Sequence, residues 1–374
     1  MSASGPRIFL SAGEPSGDLH GAAVTRALRE RLPTATLEAF GGPRMAAAGA
    51  HVLQPMERMA AMGLVEIITK LPAHVSLLRQ LRRAFGARAY DLAILIDYPG
   101  FHLRVAEAAR RAGIPVLYYI APQLWAWRPQ RAVRFARAVD RLAVILPFEA
   151  AFFAKLGLGS DYVGHPLLDR GPMPERSAAR TALGIGEGER VLGLFPGSRE
   201  GEVQRMWVPF RDAARRLLEA KACDRVIVAG TSHGEYPDPG GIEVHRDDPL
   251  PVFSAADAAI AKSGTTTLEA TLAGTPMVVA YRAHPLTFWL SQRLLTIPYV
   301  SLVNLVAERE VVPELLQDAV TAERLADAVR PLLDPAHPAT IAQREGLAEV
   351  RSRLGSPGAA GRVADMAEQL LAAR

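Results

Sequence analysis

Cysteine is nearly absent: the 374-residue chain holds one, Cys223. A lone cysteine rules out an internal disulfide and a cysteine-built zinc site, and it fits a reducing compartment. Long apolar runs are missing too. None approaches the roughly 20 residues that a membrane-spanning helix needs. The early run Ile8-Phe9-Leu10 is too short for a signal-peptide core and reads as a first buried strand. The chain is therefore expected not to be integral to a membrane. Asp-x-Asp occurs nowhere, so a metal-chelated diphosphate is not indicated. There is no His-Glu-x-x-His and no histidine pair at ligand spacing, so no metal site is expected. The Gly-x-Ser-x-Gly of a hydrolase elbow is absent. So are the Gly-Lys-Ser/Thr of a P-loop and a Gly-x-Gly-x-x-Gly after the first strand, which argues against ATP hydrolysis and a dinucleotide site.

What is present is alternation. Short β-rich runs at Arg7–Ser11, Leu37–Phe40, Leu92–Ile96, Val116–Ile120 and Arg141–Ile145 are separated by helical patterns such as Gly21–Arg31, Leu77–Arg88 and Leu103–Ala112. Continuous apolar strands between helices predict a parallel sheet covered on both faces. The pattern breaks after Tyr162-Val163-Gly164-His165-Pro166, where a stretch rich in Pro, Gly and Arg follows. A second series has strands at Val191–Phe195, Arg225–Ala229, Ala258–Ala261 and Met277–Tyr281, with helices at Glu202–Ala220, Thr267–Ala273 and Thr321–Leu333. The fold class is thus α/β, with two doubly wound Rossmann-like domains facing a central cleft. The domains are expected at 1–166 and 167–357, with the tail 358–374 as one more helix, for which packing back on the first domain is open. Ligands of such sheets bind at the carboxyl ends of the strands.

Four segments carry chemistry. Gly13-Glu14-Pro15-Ser16-Gly17-Asp18 joins the first strand to a helix; Glu14 is well placed for a ligand, and the competing reading is a plain turn with Ser16 or Asp18 as helix cap. Asp97 ends the apolar run Leu92–Ile96. Partial burial there would raise its pKa, and a carboxylate beside a sugar hydroxyl can act as general base; the alternative is a loop-capping acid. Phe195-Pro196-Gly197-Ser198-Arg199 combines a small loop, a helix start and an arginine, which suits a diphosphate. Ser263-Gly264-Thr265 repeats that design, with Glu269 one turn on as a partner for ribose hydroxyls or merely a favourable acid in a first helical turn. Two such loops in one domain point to a nucleotide sugar.

The charge is uneven. Net charge is +4, but basic residues outnumber acidic ones from Lys70 to Arg141. Trp125 and Trp127 precede Arg128, Arg131, Arg134, Arg137 and Arg141. Were that stretch helical, the arginines would form a stripe suited to an anionic membrane or a phosphorylated lipid. Core tryptophans beside a solvated arginine face remain the alternative, and no nucleic-acid-binding signature accompanies the stripe. Met62, Leu64 and Val65 open an apolar stretch that is either core or a patch for acyl chains.

Ala12-Gly13-Glu14-Pro15-Ser16-Gly17-Asp18, Gly41-Gly42-Pro43-Arg44-Met45, Met62-Gly63-Leu64-Val65-Glu66, Trp125-Ala126-Trp127-Arg128, Val163-Gly164-His165-Pro166-Leu167, Pro196-Gly197-Ser198-Arg199, Ser263-Gly264-Thr265, Leu268-Glu269 and Asn304-Leu305-Val306 together resemble the lipid-A-disaccharide synthase family. So does the stretch from Arg309 to Gln317. The resemblance implies an inverting glycosyltransferase of the GT-B type, with UDP-2,3-diacylglucosamine as donor and 2,3-diacylglucosamine 1-phosphate as acceptor. The product would be the β-1,6-linked lipid A disaccharide with UDP released. The resemblance also implies no metal and no cofactor beyond the donor, no nucleic-acid partner, and a cytoplasmic protein peripherally bound to the anionic inner-membrane surface. Carried over by position, Asp97 is the general base and Arg199 the diphosphate partner. Ser263, Gly264 and Thr265 contact phosphate, Glu269 the ribose, and Asn304 and Gln317 the donor. Glu14 lies near the sugars. Apart from the resemblance, the apolar stretch and the basic stripe offer Met62, Leu64, Val65, Trp125, Trp127, Arg128 and Arg131 as candidates for contact with membrane, acyl chain or phosphate. Two positions depart from the family pattern: Val303 stands where proline is usual, and Ala121 where serine is usual.

Overall fold

The computed structural model describes residues 5–59, 64–126, 130–231, 234–283 and 297–373. The chain forms two compact units, Met1–Arg170 with Ser356–Arg374, and Gly171–Gly355.

The sheet of the first unit comprises β1 (Arg7–Ala12), β2 (Thr36–Gly41), β3 (His51–Pro55), β4 (Leu92–Ile96), β5 (Val116–Tyr119), β6 (Arg141–Val144) and β7 (Ser160–Tyr162). Their order is β3-β2-β1-β4-β5-β6-β7, and every neighbouring pair is parallel. Alternation along β1 sends Phe9 to one face, into a core with Phe40, Phe85 and Tyr90. Ile8 and Leu10 go to the other face. There they meet Val24 and Leu28 of helix Pro15–Arg31 and Val363 and Ala364 of the last helix, Ala359–Ala372.

The last helix therefore belongs to the first unit. Asp169 holds its N-terminus, accepting from the Gly358 N–H at 2.5 Å and from Ala359 and Ala360 at 3.4 Å. Arg31 pairs with Asp365 at 2.7 Å. Because Asp169 serves that helix, the first unit runs through the turn Pro166–Arg170 before the chain leaves it.

The second unit is built on β8 (Val191–Phe195), β9 (Arg225–Ala229), β10 (Glu243–His245), β11 (Ala258–Lys262), β12 (Met277–Tyr281) and β13 (Glu314–Leu316). Their order is β10-β9-β8-β11-β12-β13, again parallel throughout. One face packs Trp207 and Phe210 of helix Glu200–Glu219 with Leu325 and Val329 of helix Ala322–Val329.

Both sheets contain a point where the direction of winding reverses. It lies between β1 and β4 in the first unit and between β8 and β11 in the second. In sheets of this kind ligands bind at the strands' carboxyl ends beside such a point.

Candidate active site

Glu14 and Asp97 sit at the first of these points. Glu14 follows β1 and is the N-cap residue of helix Pro15–Arg31, with extended backbone and no capping bond from its side chain. Asp18 does not cap that helix either. Its buried carboxylate accepts from the backbone N–H groups of Gly42, Arg44 and Met45 at 2.8–3.1 Å, fastening the short helix Pro43–Ala47. A Cβ on Gly42 would lie 2.5 Å from Asp18 Oδ2, and one on Gly21 2.6 Å from Met45 Sδ. The motifs around Gly13 and Gly41 thus pack on each other, and Glu14 stays outside that packing.

Asp97 follows β4 directly, next to β1. It and Tyr98 both have left-handed backbone, φ 50° and 53°. That conformation costs an L-residue roughly 1–2 kcal/mol, so something must hold it. The Asp97 N–H continues the ladder to Tyr119 O at 2.9 Å. Its carbonyl accepts from Tyr118 Oη at 2.6 Å and lies 2.6 Å from His102 Nδ1. A carbonyl only accepts, so Nδ1 carries the proton, and Nε2 accepts from Ser11 Oγ at 2.8 Å. Burial lowers the His102 pKa to about 4, so the ring is neutral near pH 7. Tyr98 is tied as well: its hydroxyl donates to Met59 O at 2.6 Å and lies 3.1 Å from His74 Nε2. Burial raises the Asp97 pKa, the Tyr98 N–H opposes this, and the Glu14 charge adds to the rise. A carboxylate shifted upward is a better proton acceptor near neutral pH.

The second reversal point carries the two glycine loops. Arg199 is the N-cap residue of helix Glu200–Glu219, and its side chain is 67% exposed, 3.9 Å from Glu202 Oε1. Gly197 has φ 133°, and a Cβ there would lie 2.6 Å from the Glu202 Cβ. Glu202 accepts from Lys262 Nζ at 2.9 Å and from the Ser198 N–H at 3.2 Å. Burial pushes its pKa up, but Lys262, Ser198 and Arg199 together hold it below the usual carboxylate range. Lys262, at the end of β11, therefore links both loops. A cavity of about 260 Å³ opens beside them, lined by Glu202, Arg205, Lys262, Tyr281 and Arg282 among others. Gly264 (φ 143°) is the N-cap residue of helix Thr265–Ala273, Thr265 is exposed, and Glu269 is half-buried on the same helix.

The other expected residues have varied surroundings. Ser263 is buried; its hydroxyl donates to Val300 O at 2.9 Å and its N–H to Ala280 O at 3.0 Å, so both its donors are taken by the protein. Asn304 is fully buried, and its amide makes four internal bonds: to Val312 O and Glu314 Oε1 at 2.8 Å, and from the N–H groups of Val311 and Val312 at 2.8 and 3.0 Å. Such an amide has no capacity left for a ligand; Asn304 is a brace under the loop. Gln317 has left-handed backbone, and its Nε2 is buried with no partner among the described residues. Trp125 is a core residue rather than a surface one. It is 8% exposed, stacks edge-on against Phe148, and donates to Glu149 Oε1 at 3.0 Å. Helix Gln130–Ala138 exposes Arg131, Arg134 and Arg137, with Arg134 paired to Glu107, whereas Arg141 starts β6 and pairs with Asp161. Met62, Trp127 and Arg128 lie outside the described residues, as do the side chains of Leu64 and Val65, which fall in helix Leu64–Gly86. Among the described residues no three His, Cys, Asp or Glu side chains gather to hold a metal ion, and no helix is long and apolar enough to cross a membrane.

The family model for lipid-A-disaccharide synthetase matches residues 8–353. A lipid-A-disaccharide synthase from Geobacter metallireducens is 42% identical over 375 residues, covering 98% of this chain and 97% of that one. The chain belongs to the lipid-A-disaccharide synthase family. A member from Myxococcus xanthus is 40% identical over 378 residues, 98% of each chain. One from Pseudomonas putida is 42% identical over 335 residues, 87% of this chain and 89% of its own. Membership of the lipid-A-disaccharide synthase family makes the chain a glycosyltransferase of lipid A biosynthesis. Solved structures agree on the fold. MurG of Acinetobacter baumannii superposes with a TM-score of 0.60 at 15% identity, over 97% of this chain and 99% of that one. HepE of Anabaena, in complex with UDP, gives 0.55 at 15% identity, over 99% and 100%. The fold is that of the GT-B glycosyltransferases.

Proposed function

We propose that this chain transfers 2,3-diacylglucosamine from UDP to 2,3-diacylglucosamine 1-phosphate, forming the β-1,6 lipid A disaccharide and UDP. The observation that carries the reading is Asp97: a desolvated carboxylate at the carboxyl end of β4, on a braced left-handed backbone, at the reversal point of its sheet. In the reaction Asp97 takes the proton of the acceptor's 6-hydroxyl as that oxygen attacks the anomeric carbon. UDP departs from the opposite face, and the configuration inverts. Raising the carboxylate's pKa keeps it basic enough to accept the proton.

The second unit serves the leaving group. The exposed Arg199, the Gly197 and Gly264 loops, Thr265 and Lys262 offer positive charge and N–H groups to a diphosphate. Glu269 takes the ribose hydroxyls, and the Nε2 of Gln317, which has no partner among the described residues, addresses the donor sugar. Glu14, whose charge reaches Asp97, is assigned to the acceptor sugar beside that base. We assign the first unit to the acceptor and the second to the UDP-sugar. Arg131 and Arg137, exposed on helix Gln130–Ala138, suit the acceptor's phosphate or an anionic membrane face, consistent with peripheral attachment on the cytoplasmic side.

The test is turnover in detergent, with donor and acceptor as above, with and without EDTA, for the parent and Asp97→Ala. Disaccharide and UDP from the parent and little from the variant are expected. No disaccharide from a folded, UDP-binding parent would overturn the substrate assignment.

A further inference from the structure

We infer that His102 and Tyr118 are positioning residues that aim the Asp97 carboxylate by clamping its backbone carbonyl. The inference rests on Asp97 being the base and goes beyond that reading. Both donors converge on one oxygen at 2.6 Å, and that oxygen belongs to a residue with φ 50°. They arrive from different elements: Tyr118 from β5, and His102 from helix Pro99–Arg111. His102 is fixed in turn by Ser11 of β1. With the Asp97 N–H held by Tyr119 O, the residue's N–H and carbonyl are both pinned, and the bonds from His102 and Tyr118 leave the carboxylate untouched. A buried histidine that needed only polar satisfaction would find it at any nearby carbonyl. Here the bonds go to the backbone group that decides where a reactive side chain points. Misplacing such a group by about an ångström costs on the order of 100-fold in rate.

The chemistry separates this role from simple packing. An asparagine amide nitrogen reaches the place of a histidine Nδ1, whereas a glutamine amide nitrogen reaches that of Nε2. His102→Asn should keep the donor to Asp97 O, and His102→Gln should keep only the Ser11 contact. Steady-state kcat and KM for both substrates would be measured for these variants, for Tyr118→Phe and for Asp97→Asn, with thermal midpoints alongside. The expected result is a fall in kcat of about 10–100-fold for His102→Gln with KM unchanged, and recovery to within about threefold in His102→Asn. Tyr118→Phe, which keeps its ring in the core, should lose about 3–10-fold in kcat alone. Asp97→Asn should lose the most. Equal losses in the two His102 variants that track their thermal midpoints, with Tyr118→Phe at parent kcat, would overturn the positioning role while leaving Asp97 as base. An Asp97→Asn variant with parent kcat would instead overturn the base, and this inference with it.

Discussion

The ring of Tyr98 fills the space where residue 13 would carry a side chain: a Cβ on Gly13 would lie 2.4 Å from Tyr98 Cγ. This contact joins the carboxyl ends of β1 and β4, so the segments bearing Glu14 and Asp97 are packed against each other with no slack. Gly13→Ala must displace backbone or ring, and Tyr98 is the neighbour of Asp97. A loss of about 10–100-fold in kcat is expected from that displacement, with the thermal midpoint lowered modestly. Activity within twofold of the parent would show that the Tyr98 ring can move without disturbing Asp97.

Lys262 bridges the two loops of the second unit through Glu202. A charged hydrogen bond is worth about 1.5–3 kcal/mol, which corresponds to roughly 10–100-fold in a binding constant. Lys262→Met should weaken UDP by that factor in isothermal titration calorimetry. A Kd within threefold of the parent would remove Lys262 from the diphosphate's partners and leave it a brace between loops.

Much of this was legible in the sequence. The nine central strands stand where their apolar runs predicted, with ends shifted by at most one residue. The strands without a legible apolar run lie at the sheet margins: β3, β7, β10 and β13 are edge strands. Each is at best half-buried, so each lacks the apolar run that marks a strand covered on both faces. Likewise the sequence marks Asp97 as a candidate but not His102 or Tyr118, because a bond to a backbone carbonyl leaves no mark in residue spacing. Residue spacing likewise does not show what Trp125 and Asn304 hold inside the protein. Only contacts such as Glu149 accepting from the indole N–H or the Val311 and Val312 N–H groups around the amide reveal what they hold.

Stability should depend on pH in a predictable direction. Burial, the largest cause in each case, lowers His20, His102 and His165 from 6.5 to about 4. Above pH 6.5 these histidines are neutral folded or unfolded. Between 6.5 and 4 the unfolded chain takes up protons that the folded one refuses, so stability falls as pH falls, and the loss is complete near 4. Glu149 acts oppositely: burial raises it to about 7, so its contribution is lost as pH rises from its ordinary value of 4.5 to about 7. Comparing His102→Asn with the parent by urea unfolding isolates one group. The variant should gain on the parent as pH drops from 7 to 4. A constant difference across that range would mean that His102 titrates normally in the folded protein.

Asp169 caps the helix that returns to the first unit, and the Asp169→Ala variant loses bonds to Gly358, Ala359 and Ala360. Loss of such a cap costs about 0.5–2 kcal/mol. Truncation before Ser356 should cost far more, since Val363 and Met366 are buried against the sheet and each such side chain contributes about 1.5–3 kcal/mol. Urea unfolding of the two variants should rank them in that order. A truncated chain as stable as the parent would show that the tail only decorates the core.

Asn304 gives the sharpest contrast between a brace and a ligand contact. Its carbonyl oxygen takes the N–H groups of Val311 and Val312, and its amide nitrogen donates to Val312 O and to Glu314. Glu314 in turn accepts from the N–H groups of Val300 and Ser301 at 2.8 and 2.9 Å, so the amide sits inside a closed network. Alanine there strands buried groups on every side, at about 1–3 kcal/mol for each one left unsatisfied. Asn304→Ala should therefore lower stability by more than about 3 kcal/mol. Below its unfolding midpoint, its KM for the UDP-sugar should stay within twofold of the parent. Unchanged stability with a KM raised tenfold would reverse the assignment, because the amide would then have to leave this network to meet the donor.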